Sequence, residues 1–400
     1  MALKVLVAPL RYVQGPNALA QLGEQLRAIG IKNPLLLIGI DSPGTRNAVE
    51  SIAEESLNRC GITHEFVDFR GECTWDEIRR VKELCVNGRH DAIISCGGGK
   101  TIDTGRSAAS GSAVSVEKPS PEAIPQLGAS VACINVPTVV TSSAATSAVS
   151  LVYSNEGVAE AVLVFPTNPV MVLADTEIIA RSPVRLLVAG MGDALATFFE
   201  ADISRQTGTP CLQTGALSTL AARALGRLCL EILLDYGTQA KVEALAQVPG
   251  PGIEAITEAN LLLSGLGTES GGLSASHAIE VSFHHIQERF EIPLYHGELV
   301  AFACLTQLVL EGRKPEYLEK IFRFCRSVGL PTTFDEMRLK NLTDDDLMRV
   351  SDLASRLMII RSMPGGTKEG DKHGRFYDHL AIYYALKATD AFGRSYGTRV

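Results

Sequence analysis

The chain lacks the cysteine spacings that staple or metallate small domains. Its nine cysteines (60, 73, 85, 96, 133, 211, 229, 304 and 325) are scattered, odd in number and contain no C-x-x-C pair. That excludes a disulfide framework and a structural zinc ribbon, and it suits reduced thiols in a cytosol, buried as small apolar residues. Long apolar runs are missing too: none approaches the roughly 20 residues needed to span a bilayer before Gly, Pro or charge breaks it. At the amino end, MALKVLVAPLRYVQG is interrupted by Pro9 and Arg11, too early for the apolar core of an export signal. A cytoplasmic protein is expected. Basic excess is absent, the formal net charge being -8, so neither nucleic acid nor an anionic membrane finds a footprint.

What the chain does have is length and apolar content. Four hundred residues, 46% hydrophobic and 20% charged, describe a globular protein with more than one core. The first third alternates short apolar runs, "PLLLIGI" (34–40), "HEFVDF" (64–69), "DAIISC" (91–96) and "VACINVP" (131–137), with helical stretches at 45–61 and 74–88. That order predicts a parallel sheet covered on both faces by helices. Residues 148–175 predict a hairpin followed by a further strand, and "SGSAVSVEKPSPEAIPQLGAS" (110–130) predicts an exposed loop. From about residue 180, helical periodicity takes over at 183–204, 210–236, 253–283, 297–311 and 315–328. The expected organisation is an α/β Rossmann-like domain over 1–180 and an all-helical domain over 181–400.

Three places carry chemistry. "CGGGKTIDTG" (96–105) puts glycines where a strand ends and a helix begins, so a phosphate can approach bare backbone at a helix N-terminus. It fits neither G-x-x-x-x-G-K-[ST] nor G-x-G-x-x-G, and a plain tight turn is the other reading. Asp41, after the apolar strand 34–40, is placed either to accept from a ribose, favouring NAD over NADP, or simply to start the turn "DSPG". In the helical half, Asp193, His277 and His296 are polar ligand types among apolar neighbours. One carboxylate and two imidazoles would leave a position open on a tetrahedral ion. A helix cap and satisfied core histidines are the alternative.

Together, "GECTWDEI", "GGGKTIDT", "VPTVVTSSAATSAVSLVYSNEG", "PTNPVMVLADT", "GMGDALATFFEA", "LLSGLGTESGGLSASHA", "YHGELVAF" and "MPGG" resemble, in this order, the glycerol dehydrogenases of the iron-containing alcohol dehydrogenase family. The resemblance spans nearly the whole chain. It implies a dehydroquinate synthase-like architecture, with metal and substrate in a cleft between an NAD-binding domain and a helical domain. By position, it implies metal ligation and catalysis at Asp193, His277 and His296. Zn²⁺ fits better than Fe²⁺, because Thr197 stands where iron-type relatives carry a further histidine. Cofactor contacts fall on Asp41, Gly97, Gly98, Gly99, Lys100, Asp103, Thr138, Thr141, Ser147, Val149 and Tyr153. The activity implied is hydride transfer from a small polyol or vicinal diol to NAD, with zinc stabilising the alkoxide. His284, His285 and Tyr295 lie near the ligands as proton-relay candidates, and a homo-oligomer is implied as well.

Departures occur at the substrate positions. Ser143 replaces the usual aspartate and Thr268 the usual aromatic, and His277 and His296 stand nineteen residues apart, a longer spacing than expected. Losing an anionic acceptor and a bulky wall alters selectivity. A 2-hydroxy acid dehydrogenase on the same scaffold is therefore a second expectation. A dehydroquinate synthase-like lyase is a third, and it would need a basic phosphate pocket that the ligand regions do not offer.

Overall fold

In chain order the described strands are β1 (Arg11–Gly15), β2 (Pro34–Gly39), β3 (Glu65–Asp68), β4 (Ala92–Gly97), β5 (Ser112–Ser115), β6 (Glu122–Pro125), β7 (Ala132–Pro137), β8 (Val149–Tyr153), β9 (Ala159–Val164) and β10 (Met171–Asp175). The computed structural model describes residues 3–116, 122–365 and 377–397, so Gly366 of "MPGG" and the middle of 110–130 lie outside it. Two units are distinguished: Val7–Pro183 with Val242–Gly265, and Met1–Leu6 with Val184–Lys241 and Leu266–Val400.

In the first unit, six strands form a parallel sheet in the order β1-β10-β7-β4-β2-β3. Alternation along β2 shows why an unbroken apolar run makes such a strand. Leu36 and Ile38 join one core cluster while Leu35 and Leu37 join another, and all are buried. Helices α1 (Leu22–Ala28), α2 (Pro43–Arg59), α3 (Trp75–Asn87) and α4 (Gly99–Ala109) connect strands, and α5 (Thr176–Ala180) follows the last of them. Their starts are written locally. Ser42 caps α2 just ahead of Pro43, and Thr74 caps α3, whose first turn holds Asp76 and Glu77.

Sheet order reverses between β2 and β4: the chain steps from β2 outward to β3, then returns to β4 on the other side of β2. At such a switch point the carboxyl ends of the strands open a crevice for ligands. Gly39 and Gly97 pair across it.

Four other strands make an antiparallel sheet, β6-β5-β9-β8. Its β8–β9 pair is the expected hairpin. The predicted loop 110–130 is corrected, because it contributes β5 and β6. Ala113 of β5 is buried, and β6 is an edge strand, which is where a terminal Pro125 is tolerated.

From Val184 onward the described elements are helical: α6 (Val184–Thr207), α7 (Leu220–Ala246), α8 (Pro251–Glu258), α9 (Ser264–Gly271), α10 (Ala275–Phe283), α11 (His296–Leu310), α12 (Pro315–Val328), α13 (Asp344–Arg356) and α14 (His379–Gly397). A π-turn at Ala259–Leu263 separates α8 from α9. Phe283, Phe302, Met337, Val350, Ile382 and Leu386 bring α10, α11, α13 and α14 onto one core. No described helix is long and apolar enough to cross a membrane.

Candidate metal centre and cofactor cradle

Three helices of the second unit each bring one polar side chain to a common point. Asp193 comes from the middle of α6, His277 from the first turn of α10 and His296 from the first residue of α11. The Asp193 carboxylate oxygen Oδ1 lies 3.6 Å from His277 Nε2 and 3.4 Å from His296 Nε2, and the three ligand atoms lie within 4.8 Å of one another. Ligand atoms about 2.1 Å from a tetrahedral ion are separated by about 3.4 Å, close to the two separations measured from Asp193 Oδ1.

Close approach of α6 and α11 is written in two glycines beside the ligands. A Cβ on Gly297 would fall 1.8 Å from the Ala189 carbonyl oxygen, and one on Gly192 would fall 2.1 Å from the Gly297 carbonyl oxygen. Arg185 ties the same helices from the rim. It donates to both carboxylate oxygens of Glu298 (2.7 and 2.8 Å), and its guanidinium lies 4.7 Å from the Tyr295 ring centre.

Each imidazole is held on its far side by a carboxylate. Glu200 Oε2 is 2.6 Å from His277 Nδ1, while its Oε1 accepts from the backbone N–H groups of Ser274 and His277. Glu280 Oε1 is 2.9 Å from His296 Nδ1 and 3.0 Å from His284 Nε2. Both glutamates are buried. Burial works to raise the Asp193 carboxyl, but hydrogen bonds from His277 and His296 overrule it and hold it well below the usual range. Burial likewise disfavours a charged His277, yet Glu200 and Asp193 push it up to about 10; His296 is raised by Glu280 and Asp193.

Sequence reasoning missed both glutamates. Helical spacing was the available signal, since Glu200 lies two turns beyond Asp193 on α6 and Glu280 one turn beyond His277 on α10.

Thr268 does not stand alone. Its hydroxyl is 3.2 Å from that of Thr197, one turn past Asp193. His284 and Tyr295 are spoken for by Glu280 and Arg185, and His285 offers its backbone carbonyl to Arg349.

In the first unit the three glycines prove unlike one another. A Cβ on Gly97 would meet the Gly39 carbonyl oxygen at 2.6 Å, so strand packing requires that glycine. At Gly98 a Cβ would make an ordinary contact with Val139, whereas at Gly99, in the first turn of α4, it would meet nothing within 4 Å. Open space beside helix N–H groups at the switch point is what a pyrophosphate needs.

Other expected cofactor residues gather near this end of the sheet. Asp41 is exposed just beyond β2, and the Thr138 N–H bonds to the Gly97 carbonyl at 3.1 Å. Thr141 and Ser143 lie on the loop after β7, Ser143 opening a single 3-10 turn. Ser147, Val149 and Tyr153 follow on or just before β8, all half-buried. Lys100 is exposed and pairs with Glu72 at 2.6 Å. The Asp103 carboxylate, by contrast, faces inward. It accepts from Arg106 Nη1 (3.0 Å) and from the Leu151 N–H (3.1 Å), while Arg106 also donates to the Ala144 and Val149 carbonyls. This buried pair ties α4 to the loop that carries Ser143.

A six-stranded parallel sheet with open backbone at a helix N-terminus, and helices that gather a carboxylate and two imidazoles, are features shared by metal-assisted, dinucleotide-using dehydrogenases. Comparison with known proteins agrees. The model of the iron-containing alcohol dehydrogenase family matches residues 9–176. A glycerol dehydrogenase of Thermotoga maritima is 37% identical over 97% of this chain and 97% of its own. One of Pseudomonas putida is 35% identical over 98% of this chain and 99% of its own. The crystal structure of glycerol dehydrogenase from Schizosaccharomyces pombe superposes with a TM-score of 0.85 at 28% identity, covering 100% of this chain and 93% of that one. The chain therefore belongs to the iron-containing alcohol dehydrogenase family, whose members are metal-dependent oxidoreductases that use NAD.

Proposed function

We propose that this protein oxidises a CH–OH group of a small polyol or vicinal diol of the glycerol type, passing the hydride to NAD. A divalent ion, zinc by preference, would be held by Asp193, His277 and His296. The observation that carries this reading is the tripod, with its inter-ligand spacings of 3.4 and 3.6 Å. Glycerol dehydrogenase relatives matching nearly the full chain support the substrate class.

A bound divalent cation supplies Lewis acidity at the substrate hydroxyl. The chain's own residues do the rest. Asp193 brings a full negative charge, and the imidazoles present Nε2 on the tripod side because Nδ1 is engaged elsewhere. Open backbone at Gly99 and the helix N-terminus of α4 receive the cofactor pyrophosphate, and exposed Asp41 accepts from the ribose and disfavours a 2′-phosphate. Arg106 and Asp103 position the loop bearing Ser143. A homo-oligomer in the cytoplasm belongs to the same reading.

The test is elemental analysis of the purified protein, followed by NADH production over glycerol, 1,2-propanediol and several 2-hydroxy acids. Turnover is expected on the diols, lost in His277→Ala while NAD binding persists. Failure of metal-loaded protein to reduce NAD with any of them would sink the proposal. Turnover confined to the 2-hydroxy acids would replace the substrate class.

A further inference from the structure

We infer that Glu200 and Glu280 are positioning residues for the metal, arranged so that each helix of the tripod orients the imidazole of the next. The inference rests on the metal reading above and concerns residues that carry no ligand atom themselves.

Helix α6 provides Asp193 and, on the same face, Glu200, whose carboxylate holds the Nδ1 of His277 on α10 at 2.6 Å. Helix α10 in turn provides His277 and Glu280, whose carboxylate holds the Nδ1 of His296 on α11 at 2.9 Å. Helix α11 closes the circuit against α6 through the backbone contact at Gly297 and the Glu298–Arg185 pair. With a divalent ion bound, each carboxylate would take the Nδ1–H of its ring and leave the Nε2 lone pair, which lies beside Asp193 Oδ1, for the ion. Rotation of either ring about its Cβ–Cγ bond would break a charge-assisted hydrogen bond to a buried carboxylate.

The two glutamates are not equivalent. Glu200 also accepts from the N–H groups of Ser274 and His277, fixing the start of α10 along with the ring. Glu280 shares one oxygen between His296 and the half-exposed His284, and makes no backbone bond of that kind. Glu280→Gln therefore isolates the orienting role with least disturbance to the fold, and Glu200→Gln mixes it with helix capping.

Zinc affinity is measured by competition with a coloured chelator on the full-length protein, alongside thermal melts of the metal-free form and the visible spectrum of the cobalt-substituted form. Loss of such an outer partner costs about 10–100-fold in metal affinity. Glu280→Gln is expected in that range and Glu280→Ala below it, with an altered cobalt spectrum and a metal-free melting temperature close to wild type. Zinc affinity within about twofold of wild type, with an unchanged cobalt spectrum, would overturn the inference. Should the variants not fold, cobalt-substituted wild type decides. Two hyperfine-shifted, solvent-exchangeable imidazole N–H protons are expected, one for each Nδ1, and their absence overturns it. Wild type that takes up no metal, or His277→Ala that keeps it, removes the metal reading itself. A wild-type-like Glu280→Gln beside a metal-free His277→Ala removes only this inference.

Discussion

Replacing Gly297 by alanine tests whether backbone contact between α6 and α11 sets the tripod. The new Cβ would sit 1.8 Å from the Ala189 carbonyl oxygen, 2.7 Å from its carbonyl carbon and 3.0 Å from the Asp193 nitrogen, all of them main-chain atoms. Carbon and oxygen rest comfortably at about 3.3 Å, so the helices must separate locally by about 1.5 Å. Metal–ligand distances tolerate only about 0.2 Å. His296 is the preceding residue, so its Nε2 cannot keep its 3.4 Å relation to Asp193 through such a displacement. The expected loss in zinc affinity is at least about 100-fold, the upper end of what removing a mere supporting partner costs. Overpacking of this kind costs about 1–3 kcal/mol, a fall in melting temperature of about 2–12 °C for a domain of this size. Chelator competition and thermal melts read both numbers. Gly44→Ala is the control, because its Cβ would have nothing within 4 Å; it should be neutral or stabilise by up to about 1 kcal/mol. A Gly297→Ala protein with wild-type zinc affinity and melting temperature would refute the reasoning.

Gly99→Ala should melt like wild type while NAD binds at least about tenfold more weakly, since a Cβ there enters only the cradle; unchanged NAD affinity by calorimetry would count against a cofactor at this turn. Adding zinc at about 100 times its dissociation constant to stripped protein should raise stability by about 2.7 kcal/mol, and a denaturation curve indifferent to zinc would show that no folded-state site exists. Burial pushes the Asp103 carboxyl up to about 6 against the opposing pull of Arg106. A raised pKa contributes stability that is full below the ordinary value near 3.8 and lost as pH climbs through about 6. Urea melts from pH 4 to 7 should thus shift the balance toward Asp103→Asn by up to about 3 kcal/mol, and a shift the other way would reject the assignment.

Strands β2, β4 and β7 were legible because they are apolar on both faces and end at Gly or Pro, so periodicity, length and punctuation agree. The β5–β6 pair was not, since four-residue strands containing Ser and Pro look like a loop until β9, distant in sequence, supplies hydrogen bonds to β5. Asp193, His277 and His296 drew notice as polar residues in apolar helices, but whole helices separate them, and tertiary packing, at Gly192 and Gly297 for α6 against α11, brings their ligand atoms together. Helical spacing puts Glu200 and Glu280 on the faces of Asp193 and His277, but each acts on a different helix from its own, and that pairing is set by packing. Asp103 stood in a motif and was expected at the cofactor. Its engagement by Arg106 and the Leu151 N–H depends on how β8 lies beside α4, which no local pattern encodes.

The sheet pairs β1 with β10, and the main-chain N–H groups of Asn17 and Leu19 are satisfied by the carboxylate of Asp175. Order of synthesis and order of pairing therefore diverge. Asn17 leaves the ribosome 158 residues ahead of its partner, a wait of roughly 8–32 s at common translation speeds. Throughout that interval β1 stands without its neighbour β10, a sticky margin for chaperones to shield and a reason to expect this half of the molecule to mature late.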